Sequence, residues 1–166
     1  SRVRRHLPFA LFAAALGACE KLGSRALLGT RFPEQLPQPL PSWARAFEYL
    51  PFSELLPRVG ALVHHGGIGT MSQALAAGVP QLVMPMAHDQ PDNAVRLKRL
   101  GCGGVLPPEK FTATNIAREL RRLLSDATVK ANCERVARLC LDGNAAGIAV
   151  EALESVANAG RHRVAS

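Results

Sequence analysis

Ala61-Leu62-Val63, then His64-His65-Gly66-Gly67-Ile68-Gly69-Thr70, then Ala77-Gly78-Val79-Pro80-Gln81, Pro85 and Asp89-Gln90, decide how this chain reads. Ala61 to Val63 is apolar without alternation, as in a strand buried on both faces of a parallel sheet. The glycines let the backbone turn sharply and approach a ligand with no Cβ in the way. Thr70 to Ala77 has helical composition and stops at Gly78, a C-terminal helix signal. A helix opening straight after a glycine turn aims free N–H groups and the positive end of its dipole at one spot, which favours phosphate. A second strand, Gln81 to Met84, then delivers Asp89 and Gln90 to the same edge of the sheet. Ligands of open α/β folds bind along that edge.

Two other phosphate motifs do not fit. Gly67-Ile68-Gly69-Thr70-Met71-Ser72 lacks the third glycine of a dinucleotide-binding turn, and no acidic residue follows at the distance needed to hold a ribose. A P-loop needs Gly-Lys-Ser/Thr, and no lysine lies between Lys21 and Lys98.

The run resembles the nucleotide-sugar-binding half of GT-B glycosyltransferases of the UDP-glycosyltransferase-like superfamily. Bacterial and sterol-type members of that superfamily carry HHGG-x-GT, then AGVPQ, then P-x-x-x-DQ. The likeness covers about Tyr49 to Gly101 and weakens toward both ends. It implies that His65 and Thr70 contact the donor diphosphate, helped by N–H groups of Gly66, Gly67 and Gly69. It further implies that Gln73 faces the ribose, that Asp89 and Gln90 hold hydroxyls of the transferred sugar, and that Tyr49 stacks on the base.

The chain departs from the plant-type pattern at four places. Tyr49 stands where tryptophan is usual, Phe52 where glutamine is usual, Gly69 where asparagine is usual and Gln73 where glutamate is usual. Tyrosine still stacks, with less area. Glutamine still bonds a ribose hydroxyl, without charge assistance.

The chemistry supports these roles on its own terms. Transfer of a glycosyl group requires donors aimed at the charge that grows on the departing diphosphate. An Asp-Gln pair suits a sugar, because a carboxylate accepts from hydroxyls while an amide both donates and accepts. A metal site is not expected, since His64, His65, His88 and Asp89 lack ligand spacing and no Asp-x-Asp is present. No cofactor is expected either, only a UDP-sugar or dTDP-sugar as donor substrate. Plainer roles remain open at several positions. His64, alternating away from His65, fits a structural residue, Thr70 could cap its helix, and Asp89 could cap the helix beginning near Pro91. Tyr49 could be core.

Composition bounds the partners. In 166 residues with 48% hydrophobic side chains, one domain with a real core is expected. Aromatics make up only 5%, which leaves little for nucleic-acid stacking, so no nucleic acid is expected. The net charge of +7 is explained by a nucleoside-diphosphate sugar or by peripheral contact with a membrane surface. Arg118, Arg121, Arg122, Arg135 and Arg138 are expected on outer helix faces. Cys19, Cys102, Cys133 and Cys140 form no CxxC pair and read as small buried residues, which suits a reducing, cytoplasmic setting.

Arg2 to Arg5 followed by Leu7 to Ala18 and Cys19 imitates a lipoprotein signal. The competing reading, preferred here, is an amphipathic helix over Pro8 to Leu22 with Leu11, Ala15, Ala18 and Leu22 on one face. Strands are expected at Ser24 to Gly29, Arg45 to Tyr49 and Gly104 to Leu106. A proline-rich loop should span Arg31 to Ser42, and a helical turn Phe52 to Pro57. Helices are expected at Pro91 to Leu100, from a cap at Thr112 or Thr114 to Leu124, at Ala127 to Leu141 and at Ala145 to Ala157.

The fold class expected is α/β, a doubly wound Rossmann-like parallel sheet with helices on both faces. Residues 1–158 should form the donor-binding domain, a piece of a larger protein short of its first strand, and residues 159–166 a frayed tail. The resemblance implies a metal-independent, inverting hexosyltransferase whose catalytic base and acceptor pocket lie in an amino-terminal domain, so no catalytic residue is assigned in this chain. Alternatives are a non-catalytic nucleotide-sugar module and a sugar-nucleotide epimerase-type protein of the same fold, the latter favoured only by an acidic cluster that Asp89 and Asp92 barely supply.

Overall fold

Strands and helices alternate along the chain. The computed structural model describes residues 3–143 and 145–164. α1 (Val3–Leu22) leads to β1 (Ala26–Gly29), a proline-rich loop, β2 (Ala44–Phe47) and α2 (Phe52–Leu55). Then come β3 (Leu62–His64), α3 (Ile68–Ala76), β4 (Gln81–Val83), α4 (Gln90–Arg99) and β5 (Gly103–Val105). Three helices follow: α5 (Ala113–Ser125), α6 (Ala127–Asp142) and α7 (Ala145–Val164).

All strand pairings among the described residues are parallel, and β3, α3, β4, α4 and β5 form two successive βαβ units. The single sheet expected is instead divided, among the described residues, into a β1-β2 pair and a β3-β4-β5 sheet. β4 is central, and Gln81, Leu82 and Val83 are all buried. β3 is an edge strand of its sheet, so it is half-buried rather than covered on both faces. α5 packs on β4 and β5 and also against α1, while α3 packs against α6. The fold class is therefore α/β with parallel strands flanked by helices.

α1 is covered on two sides. Leu11, Ala14, Ala18 and Leu22 face the main core around Leu82, Leu97 and Ile116, with Ala14 in the place expected of Ala15. Phe12, Leu16 and Cys19 face a second cluster with Ala26, Leu28 and Ala44. A Cβ at Gly17 would come 3.0 Å from Ala113 Cβ, so this glycine permits the close approach of α1 and α5. Cys19 lies inside this helix, half-buried.

The arginines singled out above are all exposed. Cysteine burial holds for Cys102 and Cys133, but Cys140 is exposed on the outer side of α6. Small size let it read as core, whereas the helix phase turns it to solvent. Thr112 is the cap of α5, its hydroxyl accepting from Asn115 N–H at 3.3 Å. α7 does not break at Gly160 but runs to Val164, because one glycine in a run of good helix formers costs only about 1 kcal/mol. Residues 165–166 lie outside the described residues. Among the described residues, no helix is long and apolar enough to cross a membrane.

Candidate functional site

The turn between β3 and α3 is built around Gly66. Its φ is +93°, and a Cβ there would lie 2.7 Å from Val83 Cγ1, so both backbone and space exclude a side chain. The helix starts earlier than expected, at Ile68, with Gly67 at the N-cap position and no side-chain cap. Thr70 is therefore in the first turn and not its cap. Met71 N–H closes the first helical bond to the Gly67 carbonyl at 3.0 Å. The preceding N–H groups of Ile68, Gly69 and Thr70 have no acceptor within the helix, as in any first turn. Thr70, in the same turn, is half-buried. A Cβ at Gly69 would meet nothing within 4 Å, so the asparagine usual there in plant-type relatives would fit.

His64 and His65 have opposite environments, as alternation along a strand end predicts. His65 is exposed, and its ring lies across the turn, where a Cβ at Gly67 would sit 2.8 Å from Nε2. His64 is inside a relay. Gln81 Nε2 donates to the Met71 carbonyl at 3.3 Å, which fixes the amide orientation. Gln81 Oε1 is then the acceptor at 2.8 Å from His64 Nε2, so the proton resides on Nε2. His64 Nδ1 is left to accept Gly66 N–H at 3.1 Å. Burial pushes the His64 imidazole down to about 4, with His65 adding to the fall and the Gln81 bond opposing it. His64 is thus a neutral structural acceptor.

The second loop meets the turn from the other side. His88 has φ +57°, a left-handed conformation that redirects the chain at Asp89. Asp89 occupies the N-cap position of α4, yet its side chain caps no backbone N–H. Its Oδ2 instead accepts from Asn93 Nδ2 at 2.7 Å. The same nitrogen donates to the Gly66 carbonyl at 3.1 Å. Gln90 is the first residue of α4, and its Oε1 accepts from Met86 N–H at 2.8 Å and Ala87 N–H at 3.1 Å. Its amide oxygen therefore holds the loop, and only its NH₂ remains to donate.

Tyr49 and Gln73 come together at one cleft. A cavity of about 440 Å³ at the ends of β1 and β2 is lined by Gly29, Thr30, Glu48, Tyr49, Leu50 and Gln73, among others. Tyr49 lies beyond β2 and is 77% exposed, so it is not core. Gln73 Nε2 donates to the Gly69 carbonyl at 3.2 Å, which ties this side chain to the turn. Among the described residues no group of three or more His, Cys, Asp or Glu could hold a metal. Asp92 pairs with Arg96 at 2.9 Å on the exposed face of α4, leaving no acidic cluster with Asp89.

Two residues of this site carried no assigned role in the sequence. Gln81 was visible only as part of a motif, though a polar residue inside Gln-Leu-Val-Met demands a buried partner. Asn93 was missed outright. Its signal was weak: a polar residue beside Ala94 and four before Leu97, on the buried face of α4.

The family described as Erythromycin biosynthesis protein CIII-like, C-terminal domain, matches residues 31–152. The chain belongs to this family. Aclacinomycin-T 2-deoxy-L-fucose transferase of Streptomyces galilaeus is 42% identical over 60% of this chain and 23% of its own length. TDP-daunosamine transferase DnrS of Streptomyces peucetius is 36% identical over 78% of this chain and 30% of its own length. Among solved structures, spinosyn forosaminyltransferase SpnP superposes with a TM-score of 0.77 at 30% identity, covering 89% of this chain and 38% of that one. Glycosyltransferase VinC in complex with dTDP has a TM-score of 0.69 at 29% identity, covering 80% of this chain and 33% of that one. This member of the CIII-like family thus spans less than half the length of these relatives, and the match lies in the carboxy-terminal domain of a glycosyltransferase fold.

Proposed function

We propose that this chain is the donor-binding domain of a glycosyltransferase that moves a hexose from a nucleoside diphosphate to an acceptor hydroxyl, without a metal and with inversion. The observation that carries the reading is the open first turn of α3 beside the Asp89-Gln90 loop, within a member of a glycosyltransferase family. Its donor would be a dTDP-sugar or UDP-sugar. A TDP-daunosamine transferase among the relatives and VinC in complex with dTDP favour thymidine.

In this reading the diphosphate lies over the N–H groups of Gly67 to Thr70, with the Thr70 hydroxyl and His65 completing the donors. Charge growing on the leaving group then meets dipoles already in place, with no reorganisation at the moment of reaction. The free Oδ1 of Asp89 and the free NH₂ of Gln90 bond sugar hydroxyls. Tyr49 takes the base and Gln73 the ribose in the cleft at the ends of β1 and β2. The acceptor and its general base would belong to an amino-terminal domain of the same enzyme, working in the cytoplasm or at a membrane surface.

Calorimetric titration of dTDP, UDP and their glucose conjugates against the full-length protein tests this. Thr70→Ala is expected to weaken a nucleoside diphosphate and its conjugate alike. Asp89→Ala and Gln90→Ala are expected to weaken the conjugate selectively, because an unpaired buried hydroxyl costs about 1–3 kcal/mol. Absence of binding by the wild-type protein, or equal losses for both ligands at Asp89, would overturn the reading.

A further inference from the structure

Among the described residues, the glycine turn and the Asp89-Gln90 loop are joined by side-chain hydrogen bonds through Asn93. Asn93 is buried, seven per cent exposed, and its Nδ2 lies 3.1 Å from the Gly66 carbonyl and 2.7 Å from Asp89 Oδ2. Both partners can only accept, so the nitrogen, not the oxygen, must face them. Two acceptors on one atom require two hydrogens on that atom. An uncharged NH₂ at this reach is supplied by asparagine and not by serine, threonine or aspartate. On the opposite side, Gly66 N–H is held by His64 Nδ1 at 3.1 Å, so both polar groups of Gly66 are pinned.

We propose that Asn93 is a positioning residue that sets the sugar loop against the glycine turn, so that donor sugar and diphosphate are bound in one fixed relation. This rests on the donor-site reading given above. Asn93 would not itself contact the donor. By taking Oδ2 of Asp89 it fixes the rotamer of a carboxylate that is otherwise exposed, and presents Oδ1 to the sugar. By taking the Gly66 carbonyl it holds the peptide that precedes the open N–H groups. An aspartate free to rotate would lose more side-chain entropy on binding and hold the hydroxyls less well.

The experiment is a double-mutant cycle between Asn93 and Asp89 in the full-length protein, read by titration with dTDP and with dTDP-glucose. Asn93→Ala is expected to weaken dTDP-glucose about tenfold more than dTDP, the scale of one hydrogen bond to a charged group. In the Asp89→Ala background the extra loss should vanish, and Asn93→Ala should weaken both ligands equally. Asn93→Asp keeps the shape, removes both donors and sets a second carboxylate against Asp89. It should bind dTDP-glucose worse than Asn93→Ala does, although a filler of space would be conserved. Equal losses for the two ligands in both backgrounds, or an Asn93→Asp protein that binds dTDP-glucose like wild type, would overturn the inference while leaving the donor site standing. A wild-type protein that binds neither ligand would overturn both.

Discussion

Acidification should unlock the glycine turn, and the size of the effect follows from His64. Its imidazole is neutral because burial holds it down to about 4 against an ordinary 6.5. A histidine depressed in the folded state contributes stability that is fully present above about pH 6.5 and is lost as pH falls toward 4, because only the unfolded chain takes up the proton in that window. The difference, at 1.36 kcal/mol for each tenfold step, is about 3 kcal/mol. That is a large part of the stability of a small domain. His64→Asn is the informative variant. It keeps an acceptor near the position of Nδ1 for Gly66 N–H, but it does not titrate. Urea unfolding of both proteins between pH 7.5 and 3.5 would measure the effect. The stability of wild type relative to His64→Asn should fall with a slope approaching 1.4 kcal/mol per pH unit in mid-window, and flatten below about pH 4. Parallel profiles for the two proteins would refute the reasoning, since His64 would then carry the same charge folded and unfolded.

Three other outcomes follow from the same geometry. Gly66→Ala should destabilise by at least about 1–3 kcal/mol, since a left-handed backbone and a Cβ 2.7 Å from Val83 Cγ1 cannot both be relieved, and a normal melting temperature would contradict it. Gln81→Leu leaves the His64 Nε2–H without its acceptor, at about 1–3 kcal/mol, while the Met71 carbonyl loses only a second bond and keeps its helical one within α3; chemical denaturation measures the loss. Transfer activity of the full-length enzyme is expected to survive exhaustive chelation; loss with EDTA and recovery with magnesium or manganese would refute metal independence.

Much of this protein is local, and the local part was legible. The β3-turn-α3 unit is one continuous stretch from Leu62 to Ala76, and Gly66 marks a left-handed backbone that glycine adopts without cost. Hydrophobic period and caps found every α-helix, but α1 begins at Val3 rather than Pro8, α7 runs past Ala157 to Val164, and α3 starts early because Thr70 resembles a cap while Gly67 occupies that position. Tyr49 and Gln73, 24 residues apart, were paired by resemblance and stand at one cleft.

What only the tertiary structure decided lies between residues distant along the chain. Gln81 reaches His64 across 17 positions, and Asn93 reaches Gly66 across 27. Neither partner can be read from propensity or period, because a side-chain amide has no preference for one donor or acceptor until packing brings it near. The division of the strands into two sheets has the same origin: apolar runs specify that strands form, while register and neighbours are set by contacts among them. The sequence by itself determined which backbone turns and helices are possible. The folded chain determined which side chains hold that turn in place, since a buried polar group takes its partner from whatever the fold delivers to within 3 Å or so of it.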